Sequence, residues 1–191
     1  GGSDQWGNIT AGAELIRRRL GRSAYGLTWP LLTRSDGKKM GKSVHGALWL
    51  DPDKTSPYQF RQYWMQLPDE DVRRFLLQLT LRPVDEIDTI VAQHLQSPER
   101  RAAQEVLADD VTALVHGRDA ARSAAEAAHI LFGGDPMSAS SAALDTLSQE
   151  VPTTRVTSGD LGDVVRILVT SALASSNGEA RRLLSQRGVR A

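Results

Sequence analysis

The chain has 191 residues and a mass of 20.8 kDa, with 23 Lys+Arg against 23 Asp+Glu. A hydrophobic fraction of 40% and a charged fraction of 24% exclude a disordered or fibrous chain. The lack of cysteine excludes a disulfide framework and any thiolate metal site, which suits a cytoplasmic setting. No apolar run approaches the roughly 20 residues that span a bilayer, so no membrane partner is expected. The zero net charge hides an uneven distribution. Residues 1–50 hold 8 basic and 3 acidic side chains, residues 51–150 hold 9 and 17, and residues 151–191 hold 6 and 3. Two basic ends flank an acidic middle.

In chain order, Asn8 or Thr10 predicts the cap of a helix that runs to about Arg19 and stops at Gly21. Ile9, Ala13, Ile16 and Leu20 form one apolar stripe along it. Tyr25–Thr33, aromatic and apolar, predicts a strand, with Pro30 marking an edge or a break. Arg34–Ser43 carries too many charges and glycines for either element and reads as a loop. Residues 55–132 predict about five helices. Ser56-Pro57, Pro68-Asp69-Glu70-Asp71, Pro83 with Asp85-Glu86, and Ser97-Pro98-Glu99 mark starts by cap, proline and dipole, and Gly117 closes the fourth. Ala102, Val106, Ala113 and Leu114, with Val111 and Val115, suggest the buried face of that helix. An Ala-rich helix then ends at Gly133-Gly134. Residues 133–159 read as a linker with one short helix. Beyond it, Leu161, Val164, Val165, Leu168 and Val169 mark one amphipathic helix. Ser175-Ser176-Asn177 caps another, with Ala180, Leu183 and Leu184 inward and Arg181 and Arg182 outward. Gly188-Val189-Arg190 looks like a turn entering a strand.

Two segments carry chemistry. Lys38, Lys39 and Lys42 sit around Gly37 and Gly41, with the Ser43 hydroxyl alongside. Glycines allow close backbone approach, and lysines supply point charges for phosphate. The spacing is not that of a Walker loop, and on spacing alone a solvated lysine turn fits as well. The second segment, Gly1-Gly2-Ser3-Asp4-Gln5-Trp6-Gly7-Asn8, places glycines before a helix start, where free amides meet anions. Asp4 suits a ribose hydroxyl pair, and Gln5 offers a donor and an acceptor. A tag remnant plus a turn is the plain alternative.

Taken together, GGSDQWGNITAG and the later GKKMGKS resemble the C-terminal half of the catalytic domain of bacterial tyrosyl-tRNA synthetases. The Lys39-Met40-Gly41-Lys42-Ser43 run is similar to the KMSKS signature of class I aminoacyl-tRNA synthetases, with Gly41 in place of a serine. The SDQWGN run separates the tyrosyl from the tryptophanyl enzymes. LDPDKTSPYQFRQYW (50–64), SPERRAAQEVLADDVTALVHG (97–117) and residues 160–190 resemble the same family. The resemblance implies an α/β remnant of a Rossmann-like nucleotide-binding domain over 1–54. It implies an all-α, anticodon-binding-type domain over 55–132, a linker over 133–159 and a truncated α+β RNA-binding domain of the alpha-L type over 160–191.

It also implies roles. Gly2 and Asp4 would hold the ribose of ATP and of tyrosyl-adenylate, and Gln5 would lie near the tyrosine carboxyl and the α-phosphate. Lys39, Met40 and Lys42 would complete the ATP site, with Lys39, Lys42 and Ser43 stabilising the departing pyrophosphate. Arg181, Arg182, Arg187 and Arg190 would meet tRNA phosphates. The partners implied are tyrosine, ATP with Mg²⁺ and tRNA(Tyr), in a homodimer. No dedicated metal site is expected on the protein.

None of the four histidines, His45, His94, His116 and His129, lies in an H-x-G-H context. The expectation is therefore a C-terminal part of a ligase, beginning inside the catalytic domain and unable to activate tyrosine alone. A non-catalytic RNA-binding module is the alternative. His94, His116 and His129 read as structural, and Trp6, Trp29, Trp49 and Trp64 as core. Arg73-Arg74 and Arg100-Arg101 admit two readings, a basic face for RNA or solvated surface charge.

Overall fold

A computed structural model describes residues 5–28, 32–33, 35 and 48–189. The chain divides into two compact units, 1–121 and 122–191. Among the described residues the structure is helical, and Thr33 forms an isolated bridge rather than a strand. The strand expected over 25–33 is not found in residues 25–28, which have no regular structure. An extended segment needs a paired neighbour for its backbone groups, and no strand is present among the described residues to supply one.

The first unit opens with α1 (Trp6–Leu20). Gln5 stands at its cap position, so Asn8 and Thr10 lie inside the helix, and the Thr10 hydroxyl donates to the Trp6 carbonyl at 3.0 Å. Gly21 ends the helix at φ 62°, with its N–H on the Arg17 carbonyl; that left-handed conformation favours glycine. The Glu14 carboxylate accepts from Arg17 and Arg18 and is held below its usual pKa range, Arg17 contributing most. None of the helix is buried, and Trp6, Leu15, Ile16 and Leu20 are exposed.

The rest of this unit is a bundle of α2 (Pro57–Met65), α3 (Asp69–Leu79), α4 (Val84–His94) and α5 (Ala102–His116). Ser56 caps α2 by accepting from the Gln59 N–H at 3.1 Å, with Pro57 at the first helical position. Asp69, Glu70 and Asp71 fill the first turn of α3, and Asp85 and Glu86 that of α4, where acids favour the positive dipole end. The apolar faces meet around Phe60, Trp64, Phe75, Leu76, Ile87 and Leu107, all buried. Trp64 meets Phe60 and Phe75 edge-to-face at centroid distances of 6.0 and 6.1 Å, a favourable ring geometry.

The fourth predicted helix is displaced and rotated. Pro98–Arg100 forms a 3-10 turn and Arg101 takes φ 53°, so α5 starts only at Ala102. Its buried face is Ala103, Leu107, Ala108 and Val111, with Gln104 and Thr112. Ala102 and Leu114, expected inward, are exposed, while Val106 and Val115 pack at the margin of the core. Two polar residues on the buried side disguised the true stripe.

α6 (Arg118–Leu131) crosses the unit boundary and buries Ala124, Ala127 and Ala128. It ends at Gly133 (φ 107°) and Gly134, whose N–H bonds the His129 carbonyl at 2.9 Å. In the second unit, α7 (Ser141–Glu150) is capped by Ser140. The Glu126 carboxylate accepts from the Ser140 N–H at 2.7 Å and its O–H at 2.6 Å. α8 (Val164–Thr170) and α9 (Asn177–Ser185) enclose a small core of Leu168, Ala174 and Ala180, with Leu183 and Val189 at its edge. Ser176 caps α9. Leu161 and Leu184, expected on the apolar faces, are exposed. No described helix is long and apolar enough to cross a membrane.

Candidate functional site

Gly2, Asp4, Lys39, Met40, Lys42, Ser43 and Arg190, together with His45 and Trp29, lie outside the described residues. Gln5 is described: it stands exposed at the start of α1, with its Oε1 3.5 Å from Asn8 Nδ2.

The backbone on either side of residues 36–47 is fastened to the helical bundle. Before them, Leu32 packs on the bundle core. The Ser35 N–H donates to the Asp71 carboxylate at 2.9 Å, and the Ser35 hydroxyl donates to Glu70 at 2.6 Å and to Asp71 at 3.2 Å. Arg74 Nη2 donates to the Thr33 carbonyl and to Asp71 Oδ1, the latter at 2.6 Å. Asp71 is only 1% exposed, so its charge is stabilised by these donors rather than by water. After them, Leu48 packs on the same core, and the Trp49 N–H donates to the buried Thr55 hydroxyl at 3.2 Å. Lys54 Nζ lies 4.6 Å from the Trp49 ring centroid.

The basic residues of the acidic middle are largely engaged within the bundle. Arg61, 3% exposed, pairs with Asp109 at 2.7 Å and Glu105 at 3.7 Å. Arg73 pairs with Asp88 at 2.7 Å. Arg101 donates to the Met65 and Leu67 carbonyls at 2.9 and 2.8 Å. Arg82 is bound by Asp110 and Glu86, and Asp110 above all raises its already high pKa further. Arg74 and Arg101 tie carbonyls of neighbouring segments. Arg82 also lines a cleft of about 440 Å³ with Leu79, Leu81, Asp110, Leu114 and Arg118.

Three of the four expected RNA-facing arginines are described. Arg181 and Arg182 are exposed on α9, and Arg187 follows it in a left-handed turn at φ 54°. Arg182 lies 3.9 Å from Glu179. Glu179 is itself engaged by the Ser175 hydroxyl and N–H, which hold its pKa low.

The histidines divide by position. His94 is buried at the end of α4, with Nε2 3.0 Å from Asp69 Oδ1. Gln104 Nε2 donates to the same oxygen at 2.5 Å, and this bond is the main cause of the lowered pKa of Asp69. His116 meets Phe60 edge-to-face at 4.9 Å, and burial lowers its pKa. Among the described residues no group of three or more His, Asp or Glu side chains is placed to hold a metal ion. Of the tryptophans, Trp64 is core, whereas Trp6 and Trp49 are half-exposed, contrary to expectation.

Residues 1–133 match the family of class I tRNA synthetases for tryptophan and tyrosine (W and Y). The chain belongs to this family. Among curated relatives, it is 51% identical to a tyrosine–tRNA ligase of Anaeromyxobacter dehalogenans over 98% of its own length and 46% of the relative's. It is 48% identical to that of Clostridium tetani over 99% of its length and 44% of the relative's. The chain thus spans about half the length of the curated relatives it matches. Among solved structures, a C-terminally truncated mitochondrial tyrosyl-tRNA synthetase of Coccidioides posadasii aligns with a TM-score of 0.53 at 34% identity. That alignment covers 65% of this chain and 37% of the other. The Aspergillus nidulans counterpart gives 0.54 at 33%, over 69% and 38%. The helical bundle of α2 to α5 lies within the residues that match this family.

The contacts made by Ser35, Asp71, Arg74 and Thr55 went unread in the sequence. Asp71 is visible there as a helix-start acid and Arg74 as one of an arginine pair. Nothing local signals that both reach back some 36 to 41 positions.

Proposed function

We propose that this chain is the C-terminal portion of a cytoplasmic tyrosine–tRNA ligase. In this reading the whole protein activates tyrosine with ATP and transfers the tyrosyl group to tRNA(Tyr). The observation that carries the reading is the roughly 50% identity to tyrosine–tRNA ligases across 98% or more of the chain, joined to the SDQWGN and KMGKS runs. Residues 1–54 would complete the Rossmann-like catalytic domain, 55–132 the anticodon-binding-type bundle, and 160–191 part of an alpha-L domain after the 133–159 linker. A homodimer is the assembly this reading implies.

Activation joins the tyrosine carboxylate oxygen to the α-phosphorus and breaks the bond to the pyrophosphate oxygen. Lys39 and Lys42 would meet the negative charge that gathers on the leaving phosphates, and the Ser43 hydroxyl would donate to them. Such contacts strengthen in the transition state and so raise the rate. Gly2 and Asp4 would receive the ribose, Gln5 the carboxylate and α-phosphate region, and Met40 would line the nucleotide site. Mg²⁺ would arrive on the phosphates, where it neutralises charge. Arg181, Arg182, Arg187 and Arg190 would lie along the tRNA backbone. The exposure of the first three and the +3 balance of residues 151–191 support that role.

The test is adenylate formation by the whole protein, measured before the steady state. Lys42→Ala is expected to slow it by about 10²–10³ with the tyrosine dissociation constant unchanged. An unaltered rate removes Lys42 from the mechanism.

A further inference from the structure

We propose that the apolar stripe of α1 is the seat of the portion of the whole protein that precedes Gly1, and that this docking positions Gln5. The inference rests on the proposed function, which makes this chain the C-terminal portion of the ligase.

α1 is 15 residues long and buries none of them. Ile9, Ala13, Ile16 and Leu20 recur at helical spacing along one side. Ile16 and Leu20 are 37% and 65% exposed, and Trp6 at the helix start is 53% exposed. The chain that returns after Gly21 meets the stripe at Ile9, where a Cβ on Gly26 would lie 2.6 Å from Ile9 Cγ2. Glu14, Arg17 and Arg18 form an exposed charged network at 2.7 Å. A helix of about 15 residues is marginal in water by itself, and in proteins its stability comes from packing an apolar face. The Ile16 to Leu20 half of the stripe therefore calls for a covering surface. The curated relatives match this chain over 46% and 44% of their length, so more than half of each lies outside the match. A portion ahead of Gly1 is joined to α1 through five residues, Gly1 to Gln5. So short a tether gives an effective concentration in the millimolar range, above that of a second copy in solution.

Gln5 holds helical angles, φ −89° and ψ −11°, directly before Trp6. The placing of α1 thus places Gln5. Leu20 lies about 22 Å from Gln5 along the axis, so a tilt of about 3° about Leu20 moves Gln5 by about 1 Å. A displacement of about 1 Å can cost 10²-fold in rate. Ile16 and Leu20 are in this sense positioning residues for Gln5.

The experiment uses the whole protein. In hydroxyl-radical footprinting of the wild type, Leu20 is expected to be oxidised several-fold more slowly than Leu81, a leucine 95% exposed on the bundle. On irradiation, Leu20→p-benzoylphenylalanine is expected to cross-link within one polypeptide to a peptide ahead of Gly1. Oxidation of Leu20 as fast as Leu81, no cross-link, or cross-links to a second copy or to residues 1–191 overturn the inference. Ile16→Asn is expected to lower the rate of tyrosyl-adenylate formation before the steady state about tenfold, and Ile16→Val to keep it within about twofold. In the Gln5→Ala background, Ile16→Asn is expected to add less than about twofold, because groups acting as one unit are not additive. Circular dichroism confirms that each variant is folded; should Ile16→Asn not fold, the wild-type footprint and the Leu20 cross-link decide. A wild-type rate in folded Ile16→Asn, or a full tenfold loss persisting without the Gln5 side chain, overturns the positioning of Gln5. If the wild type forms tyrosyl-adenylate while Leu20 stays open to solvent, the inference fails and the function stands. If the wild type forms none, the proposed function itself fails.

Discussion

Replacing Asp109 by Asn is expected to destabilise the first unit by about 2 kcal/mol. The Arg61 side chain is enclosed, and its guanidinium bonds Asp109 at 2.7 Å with Glu105 at 3.7 Å. Breaking a fully buried pair costs roughly 3–5 kcal/mol, because the remaining charge is left without water. Asp109 is itself 44% exposed, which weakens the Coulomb component, and Glu105 remains as a second partner. A charge-assisted hydrogen bond of roughly 1.5–3 kcal/mol is then the appropriate scale. With roughly 2–4 °C per kcal/mol for chains of this size, the melting temperature should fall about 4–8 °C. Arg61→Met, which keeps an unbranched stem and removes the charge, should offset the loss. The double variant is predicted within about 1 kcal/mol of the wild type. Urea unfolding of the chain followed by far-ultraviolet circular dichroism measures all three. A cost below about 0.5 kcal/mol for Asp109→Asn, or a double variant less stable than the single, would refute the buried-charge argument.

Two further changes probe other parts of the fold. Burial lowers the pKa of His116 from its ordinary 6.5, so the unfolded chain takes up this proton before the folded one does. Its contribution to stability is complete above about pH 6.5 and is lost as the pH falls below that value. His116→Leu should flatten the acid side of the stability profile, as read by unfolding at stepped pH; an unchanged acid slope would show that other groups set it. A methyl group on Gly134 would sit 2.4 Å from the His129 ring and 2.9 Å from its carbonyl oxygen. Gly134→Ala should therefore cost about 1–3 kcal/mol in the unfolding of the second unit, whereas a neutral result would mean that the end of α6 yields easily.

The helical bundle was legible because its starts are written locally. Ser56-Pro57, Pro68-Asp69 and Pro83-Asp85 place caps, prolines and acids where the chain turns into α2, α3 and α4, and Gly21 and Gly117 end α1 and α5. The face of α5 was not legible. Gln104 and Thr112 are buried on it while Leu114 is exposed, and only the neighbouring helices decide that. Tyr25–Thr28 carries strand-forming residues but no paired segment among the described residues. The contacts of Asp71 and Arg74 with Ser35 and Thr33 were the least visible feature. A carboxylate at a helix start reads as dipole compensation, and an Arg–Arg pair reads as surface, until the fold brings Thr33 and Ser35 to them. For the proposed nucleotide site the position is reversed: the motifs at 2–5 and 39–43 are clear in sequence, and only Gln5 of them is described in space.

The proposed whole protein is a tyrosine-specific ligase of which this chain is the C-terminal portion. It is tested most directly by charging tRNA with the whole protein, using labelled tyrosine and labelled tryptophan in parallel. ATP-dependent attachment of tyrosine to tRNA(Tyr), and none of tryptophan, is the expected result. Attachment of tryptophan, or tRNA binding with no charging of either amino acid, would contradict it.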